Sequence, residues 1–276
     1  MKKTIYVILA LLIILSLCSC GETPEAKELF LSAAHNTQGH DYLINMNIGM
    51  GQSGVSSATK ITIDGAKDDY GNHHALYTLA LSNVTYSGEM YYFDKDMVLY
   101  LQVMDVWMEL YLTDYFAGLT IEELRSMFSA FDIERMLKED NMLSYSEVKK
   151  SGKDYVFDIY VEDNENTREM LAQMLSSAED TSLNLEQYID IICNMGFSVK
   201  INKSQNTVSG ISADFRRAFS VMDELFGTEF TEFSLDIEND NHGKTKEIKL
   251  DESIPDECVS MIELMYYLVY SQIQYE

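Results

Sequence analysis

Residues whose types and spacing could do chemistry are few in this sequence. Ser146 and Lys149 fit the S-x-x-K spacing of serine-acylating enzymes, but they fall in a predicted strand, where residues three apart point to opposite faces. His73 and His74 also diverge on a strand, so a shared zinc ion would need further ligands that no spacing supplies. The G-x-S-x-G, H-E-x-x-H and glycine-rich phosphate-loop motifs are missing. We therefore predict no catalytic residue, no metal and no cofactor.

Two acidic segments, 162–166 and 236–243, concentrate oxygen atoms that could bind calcium. Neither fits an EF-hand loop, which needs glycine at its sixth position and glutamate at its twelfth. Solvated hairpin ends are the simpler interpretation, because Asp and Asn are typical turn residues. An enzyme using paired carboxylates is the weakest functional class, since no motif places such a pair.

The N-terminal end carries an export signal. An apolar run, 5–17, follows two lysines and is interrupted only by Ser16. The run has signal-peptide length and is shorter than the roughly 20 residues that span a bilayer. We therefore expect residues 1–19 to be a signal peptide that is removed and is not part of the fold.

The residues after this run, Leu17, Ser19 and Cys20, resemble the lipobox of bacterial lipoproteins. Cys20 is a better acceptor than Cys18, because a small residue precedes it. The resemblance implies lipidation of Cys20, cleavage before it, and a short tether over residues 20–24. Two or three acyl chains form a stable anchor. We expect an extracytoplasmic protein held at the cell membrane; an ordinary secretory signal is the alternative.

The composition limits the partners and the number of domains. Asp and Glu number 45 against 20 Lys and Arg, which gives a formal charge of −25 and a surface that repels nucleic acid. Hydrophobic residues make up 46%, enough to bury a core. The only prolines, Pro24 and Pro255, bracket a stretch without Pro-, Gly- or Ser-rich linkers. A single domain over residues 25–276 is therefore expected.

Hydrophobic periodicity predicts strands interrupted by two helical blocks. Strands are expected near 42–50, 59–64, 74–83, 89–93, 98–102, 107, 142–151, 152–162, 197–202, 207–215, 229–238 and 244–250. Helices are expected at 24–35, from 120 onward, and at 167–178, 184–195 and 256–274. This pattern indicates an α+β fold with a strongly curved antiparallel sheet of about ten strands.

One hairpin can be placed in register. If Lys95 and Asp96 form its turn, Tyr92 faces Leu99 and Met90 faces Leu101, so these four side chains share an apolar face. The opposite, wetter face then carries Glu89, Tyr91, Tyr100 and Gln102.

The order of elements resembles half-barrel lipoproteins of the LolA, LppX and LprG type. The residues that carry the likeness are 89–94 with Tyr100 and Trp107, and 199–203 with Thr207. The turn 94–96 lacks the glycine usual in that family, and the chain extends past Pro255. The resemblance implies a half-barrel with helices in or across its concave face, and a cavity that binds acyl chains of lipids or lipoproteins.

The ligand would lie against apolar strand residues, and the 16 methionines would supply adaptable walls. The expected ligand-binding residues are Ile44, Met46, Ile48, Ile61, Ile63, Leu79, Leu81, Met90, Tyr92, Leu99, Leu101, Trp107 and Phe128. The alternative is a solid core in which these residues pack against the inserted helices, since only volume distinguishes a cavity from a core. The function expected is non-enzymatic binding of a hydrophobic ligand; the alternative is an envelope-tethered module that binds a protein partner.

Cys193 and Cys258 lie on predicted helices of an exported domain. They could form a disulfide with each other, and two free thiols are the alternative. The final helix, 256–274, is apolar nearly all round. Packing within the domain is expected, and docking on a partner is the alternative.

Overall fold

The computed structural model of the chain describes residues 24–52, 55–115, 120–121, 142–175, 185–219, 229–260 and 263. The helices are α1 Pro24–Asn36, α2 Leu112–Tyr115, α3 Glu165–Leu175, α4 Leu185–Cys193 and α5 Ile254–Glu257. The strands are β1 His40–Gln52, β2 Val55–Lys67, β3 His73–Leu81, β4 Val84–Phe93, β5 Val98–Val103, β6 Val106–Tyr111, β7 Leu143–Tyr145, β8 Lys149–Ser151, β9 Asp154–Val161, β10 Gly196–Asn202, β11 Thr207–Asp214, β12 Glu229–Asp240 and β13 Cys258–Val259.

Hydrogen bonds join the thirteen strands of the described residues into one sheet. The strand order is β13-β6-β5-β4-β3-β2-β1-β12-β11-β10-β9-β7, and β8 pairs with β9 beside this path. The order does not close on itself. β13 pairs in parallel with β6, whereas the pairs from β2 to β6 and from β9 to β12 are antiparallel. The predicted α+β class with an antiparallel sheet is confirmed. The strand expected over 142–151 is divided into β7 and β8, and β13, two residues long, is too short to produce a periodic signal.

The chain groups into two compact units, each assembled from separate stretches. The described residues of the first unit fall within Met1–Thr37, Asn45–Ala58 and Ser126–Glu238. Those of the second fall within Gln38–Ile44, Thr59–Arg125 and Asn239–Glu276. The single domain expected over residues 25–276 stays a prediction.

The first unit has a solid core on one face of β9–β12. Burial alternates along these strands, so every second side chain is enclosed. The largest side chains that are almost fully buried there are Phe157, Ile159, Phe197, Val199, Ile201, Phe215 and Leu235. Helix α1 packs on this face: Phe30 meets Phe157 edge to face at 6.4 Å. Thr37 Oγ1 at the end of α1 accepts the Val208 N–H at 2.8 Å.

In the second unit, the register predicted for the β4–β5 hairpin is confirmed. Met90 pairs with Leu101, Tyr92 with Leu99, and Phe93 with Val98. The connection ends at Met97, whose φ of 49° lies in the left-handed region. The Met97 N–H closes the turn by donating to the Asp94 carbonyl at 3.3 Å. Met97 thus takes the left-handed conformation that glycine adopts without steric cost, and the turn forms without a glycine.

Two predictions near the C-terminal end are wrong. The segment 244–250 is not a strand: its Ile248 N–H donates to Asp68 Oδ2 at 2.9 Å instead of joining a ladder. Residues 256–274 do not form one continuous helix, because α5 ends at Glu257 and the next two residues pair with β6 as β13. The remaining apolar positions, 261–262 and 264–274, lie outside the described residues, as does most of the helix expected after Thr120.

Candidate functional site

The predicted ligand-binding residues of the second unit share one face of β2–β5. Cross-strand pairs place Ile61 opposite Leu79, Met90 opposite Leu101 and Tyr92 opposite Leu99. Ile63 and Leu81 follow on the same face because side chains alternate along each strand. We call the set Ile61, Ile63, Leu79, Leu81, Met90, Tyr92, Leu99 and Leu101 the apolar face.

The side chains of the apolar face differ from a packed core in their exposure. None of the eight residues is buried, and Leu81 is 40% exposed. By contrast, Phe157 and Ile159 in the first unit are at most 1% exposed. A surface of partly exposed leucine, isoleucine and methionine can gain free energy by contact with another apolar group, at roughly 25 cal/mol per Å² covered.

The register adds residues to the apolar face that the sequence analysis missed. Tyr77 lies between Ile63 and Gly88, and Tyr86 pairs with Leu79. Gly88 leaves room for the Tyr77 side chain, since a Cβ there would come within 2.8 Å of the Tyr77 ring. The Tyr77 hydroxyl crosses to donate to the carbonyl of Gln102. The sequence did contain a signal for Tyr77: it is two residues from Leu79 on the same strand, so the two side chains point to the same face.

The three predicted residues of β1, Ile44, Met46 and Ile48, lie on one side of that strand with Tyr42. Tyr42 is buried, whereas the three aliphatic side chains are only partly covered. Phe128 lies outside the described residues.

Trp107 is separated from the other predicted ligand-binding residues. It pairs with Gln102, whereas Met108 pairs with Leu101, so Trp107 points to the opposite face of the sheet. There it is 7% exposed and packs with Val98, Tyr100 and Ile254 in a closed cluster. The structure therefore gives Trp107 a core position on the face opposite to Leu101, so it does not share a surface with the other expected ligand-binding residues.

Carboxylates on that opposite face bind tyrosine hydroxyls. Glu89 Oε1 accepts from the Tyr91 hydroxyl at 2.8 Å and lies 2.6 Å from His74 Nε2. Burial, the hydrogen bond to Glu89 and its negative charge raise the pKa of Tyr91 to about 12. Tyr100 donates to Glu109 in the same way at 2.7 Å, and burial together with that bond raises its pKa. These phenols stay protonated at neutral pH and act as hydrogen-bond donors.

His73 and His74 diverge, as the strand geometry predicts. The ring of His73 contacts Tyr42 and Tyr92, with centroid distances of 5.6 and 5.9 Å. Burial, with the positive charge of Lys67, lowers the pKa of His73 to about 4, so its ring is neutral at pH 7. Across the described residues, no group of three or more His, Cys, Asp or Glu side chains has the geometry of a metal site.

Cys193 and Cys258 are both free thiols in the structure, which is the second of the two alternatives drawn from the sequence. Burial raises the pKa of the Cys193 thiol to about 11, so it stays protonated. The Cys258 thiol contacts the Ile254 carbonyl at 3.3 Å. Among the helices described, none is both long and apolar enough to span a membrane.

Comparisons with known proteins give likeness at the level of structure only. No family model and no curated protein matches the sequence. LprF from Mycobacterium bovis aligns over 83% of this chain and 97% of its own, at 8% identity and a TM-score of 0.38. A LolA superfamily protein from Nitrosomonas europaea aligns over 85% and 97%, at 8% identity and a TM-score of 0.22. A DUF1329 family protein from Desulfovibrio piger aligns over 83% and 95%, at 9% identity and a TM-score of 0.25.

Proposed function

We propose that this protein is an extracytoplasmic lipoprotein, anchored to the membrane through Cys20, that binds the acyl chains of a lipid or lipoprotein without catalysing a reaction. The observation that carries the proposal is the exposure of the apolar face. Its eight side chains share one side of four strands and are left partly uncovered, although Ala75 and Met108 on the same side are buried. The buried face of β9–β12 in the first unit, by contrast, is filled. An acyl chain is the ligand that such a face would bind without hydrogen bonds.

The chemistry of the apolar face supports acyl chains over polar ligands. Leucine, isoleucine and methionine offer dispersion contacts and rotamer freedom, which suits flexible chains of varied length. Tyr77 already donates its hydroxyl to Gln102 and Tyr92 donates to Asp94, so their hydroxyls are engaged within the protein. The formal charge of −25 favours a zwitterionic or neutral headgroup over an anionic one.

The proposal is tested with two charged substitutions on adjacent residues of β3. Leu79 lies on the apolar face, and Thr78 points to the opposite side, where it is exposed and pairs with Thr62 and Ser87. Leu79→Asp places a carboxylate where the acyl chain would lie, and Thr78→Asp adds the same charge at the other face. We expect Leu79→Asp to lose binding of a fluorescent-acyl phosphatidylcholine while Thr78→Asp binds it as the wild type does.

The fold is monitored through Trp107, the sole tryptophan. Its fluorescence should report similar unfolding midpoints for the two variants, since neither replaced side chain is buried. Equal lipid binding by both variants would contradict the proposal. Collapse of the Leu79→Asp fold would instead identify the apolar face as core.

The alternative function is an envelope-tethered module that binds a protein partner. The observation that favours it is the exposure of apolar residues at two hairpin ends, where Val84 is 49% and Met104 46% exposed. Contiguous exposed apolar patches are typical of interaction sites, and this function requires Val84 and Met104 to be part of one. Unchanged lipid binding after replacement of the apolar face, with loss of a partner after Met104→Asp, would favour this function.

A further inference from the structure

A groove of about 490 Å³ lies in the first unit, on the face of β9–β12 opposite to its buried core. Side chains alternate along these strands, so the residues between the buried phenylalanines and valines point into the groove. Its polar lining includes Tyr160, Asn194, Ser198, Ser212, Asp214 and Asp236. The volume is within the roughly 300–1,000 Å³ typical of small-molecule sites.

A row of oxygen atoms crosses the floor of the groove. Ser198 pairs with Ser212, and Ser212 pairs with Asp236, so the three side chains lie on neighbouring strands about 4.8 Å apart. Within the described parts of the chain, neither serine hydroxyl and neither oxygen of Asp236 has a hydrogen-bond partner. Each hydroxyl can donate one bond and accept two, and the carboxylate accepts only.

An aromatic ring forms one wall. Tyr160 pairs with Gly196, and a Cβ at position 196 would come within 2.9 Å of the Tyr160 ring, so the missing side chain lets the ring lie across β10. The residue remains 48% exposed, which leaves ring surface open to the groove. Burial and the negative charge of Asp158, two residues earlier on the same side of β9, raise the pKa of the Tyr160 hydroxyl.

The charges of the groove disfavour an anion. Asp214 is neutralised by Arg216, whose Nε lies 3.0 Å from both carboxylate oxygens. Asp236 adds a negative charge, and Arg217 adds a positive one at the same groove. Asp158, which pairs with Ser198 at the edge of the groove, adds a second negative charge, so the groove carries a small net negative charge. It is rich in acceptors, which disfavours an anion and matches a neutral ligand with many hydroxyl groups.

We propose that this groove binds a neutral saccharide, with the apolar C–H face of a β-linked hexopyranose stacked on Tyr160. Its hydroxyl groups donate to Asp236 and exchange hydrogen bonds with Ser198 and Ser212. Stacking supplies contact area at low entropic cost because a tyrosine ring has few rotatable bonds. The site lies in the first unit and does not depend on lipid binding by the apolar face of the second.

The test is saturation-transfer difference NMR on the full processed protein, in a detergent without a sugar headgroup, with cellobiose and N,N′-diacetylchitobiose as probes. We expect at least one disaccharide to bind with signals concentrated on its ring protons. Tyr160→Phe keeps the ring and should retain binding, whereas Tyr160→Ala should weaken it by about tenfold or more. Tyr111→Ala is the matched control, because Tyr111 is comparably exposed at 41% and lies in the second unit.

A second variant, Ser212→Val, keeps the strand and removes the central hydroxyl, so it should weaken binding even if Tyr160→Ala disturbs the sheet. Wild-type protein that binds neither disaccharide at millimolar concentration would overturn the proposal. Binding that survives both Tyr160→Ala and Ser212→Val, or that Tyr111→Ala abolishes, would overturn it as well. Lipid binding measured in parallel keeps this result separate from that of the apolar face.

Discussion

Replacing Asp68 by alanine removes the acceptor of four hydrogen bonds in the second unit. Oδ1 accepts the main-chain N–H groups of Tyr70 and Asn72, each at 2.9 Å. Oδ2 accepts the Asn72 amide at 3.0 Å and the Ile248 N–H at 2.9 Å. Asp68 is only 1% exposed, so these donors lose a charged partner where water enters poorly. The carboxylate thus fixes the β2–β3 turn and holds the segment 244–250 beside it.

The loss can be estimated from the three main-chain donors. A hydrogen bond to a charged group contributes about 1.5–3 kcal/mol to the free energy of unfolding. Where water can reach a donor of the turn after the substitution, the loss at that donor is smaller. We expect Asp68→Ala to reduce the free energy of unfolding by about 3–5 kcal/mol. Asp68→Asn keeps one acceptor oxygen and should lose less.

The assay is urea unfolding followed by the fluorescence of Trp107. Asp64→Ala is the matched control: Asp64 is an exposed carboxylate on β2, so its replacement should change stability by less than about 0.5 kcal/mol. The rate of trypsin cleavage at Lys246 or Lys249 gives a second readout. It should rise in Asp68→Ala, since the loss of the bond to Ile248 releases this segment. A loss below about 1 kcal/mol for Asp68→Ala, or one equal to that of Asp64→Ala, would refute the reasoning.

The acid dependence follows from the same carboxylate. Burial alone would raise the pKa of Asp68, but the bonds from Ile248, Asn72 and Tyr70 outweigh it and lower the pKa. The unfolded chain therefore binds the proton more readily, and stability rises with pH across this range. The contribution is complete above the ordinary aspartate pKa and is lost as pH falls through the lowered value. Asp68→Asn should flatten that part of the stability curve.

Three further predictions concern single residues. The pKa of His73, followed by NMR, should be about 4. The free energy of unfolding should fall as pH drops from 6.5 toward that value, because the histidine of the unfolded chain takes up the proton first. An ordinary histidine pKa would contradict the burial of the ring. Gly88→Ala should lower the free energy of unfolding by about 1–3 kcal/mol, because the new Cβ would clash with the Gln102 carbonyl oxygen. An unchanged urea midpoint would contradict this close approach. Cys20→Ala should leave the N-terminal peptide without a diacylglycerol mass and release the protein from membranes; lipidation of that variant at Cys18 would contradict the assignment.

Strand periodicity was enough to predict much of the second unit. Alternation of Met90 and Tyr92 with polar neighbours gave the faces of β4, and the position of the turn fixed the pairing with β5. Parity alone would also have identified Tyr77. These features depend on residues close in sequence, where the period of two is sufficient.

Trp107 could not be assigned in this way. Its face depends on the turn at Met104 and Asp105, where both residues have positive φ, of 50° and 65°, without the glycine or asparagine that usually signals such a turn. A shift of one residue in that turn moves every following side chain to the other face. The sequence therefore left the parity of β6 undetermined.

The groove of the first unit was missed for a different reason. Its serines and carboxylates occupy ordinary solvent-facing positions of separate strands, and only the registers of β9–β12 bring Ser198, Ser212 and Asp236 into one row. In the β10–β11 hairpin the register shifts at an irregularity between Lys200 and Ile201, and β11 and β12 are separated by a long connection. Local patterns specify neither register. The same limit applies to Asp68 and Ile248, which meet across 180 residues of sequence.

The most direct test of the proposed function is native mass spectrometry of residues 21–276, produced in bacterial cytoplasm and purified without detergent. We predict a discrete added mass that is released on activation and identified as a lipid, and its loss in Leu79→Asp but not in Thr78→Asp. A protein that gives only its own mass, both as purified and after incubation with phosphatidylcholine, would contradict binding of acyl chains by the apolar face.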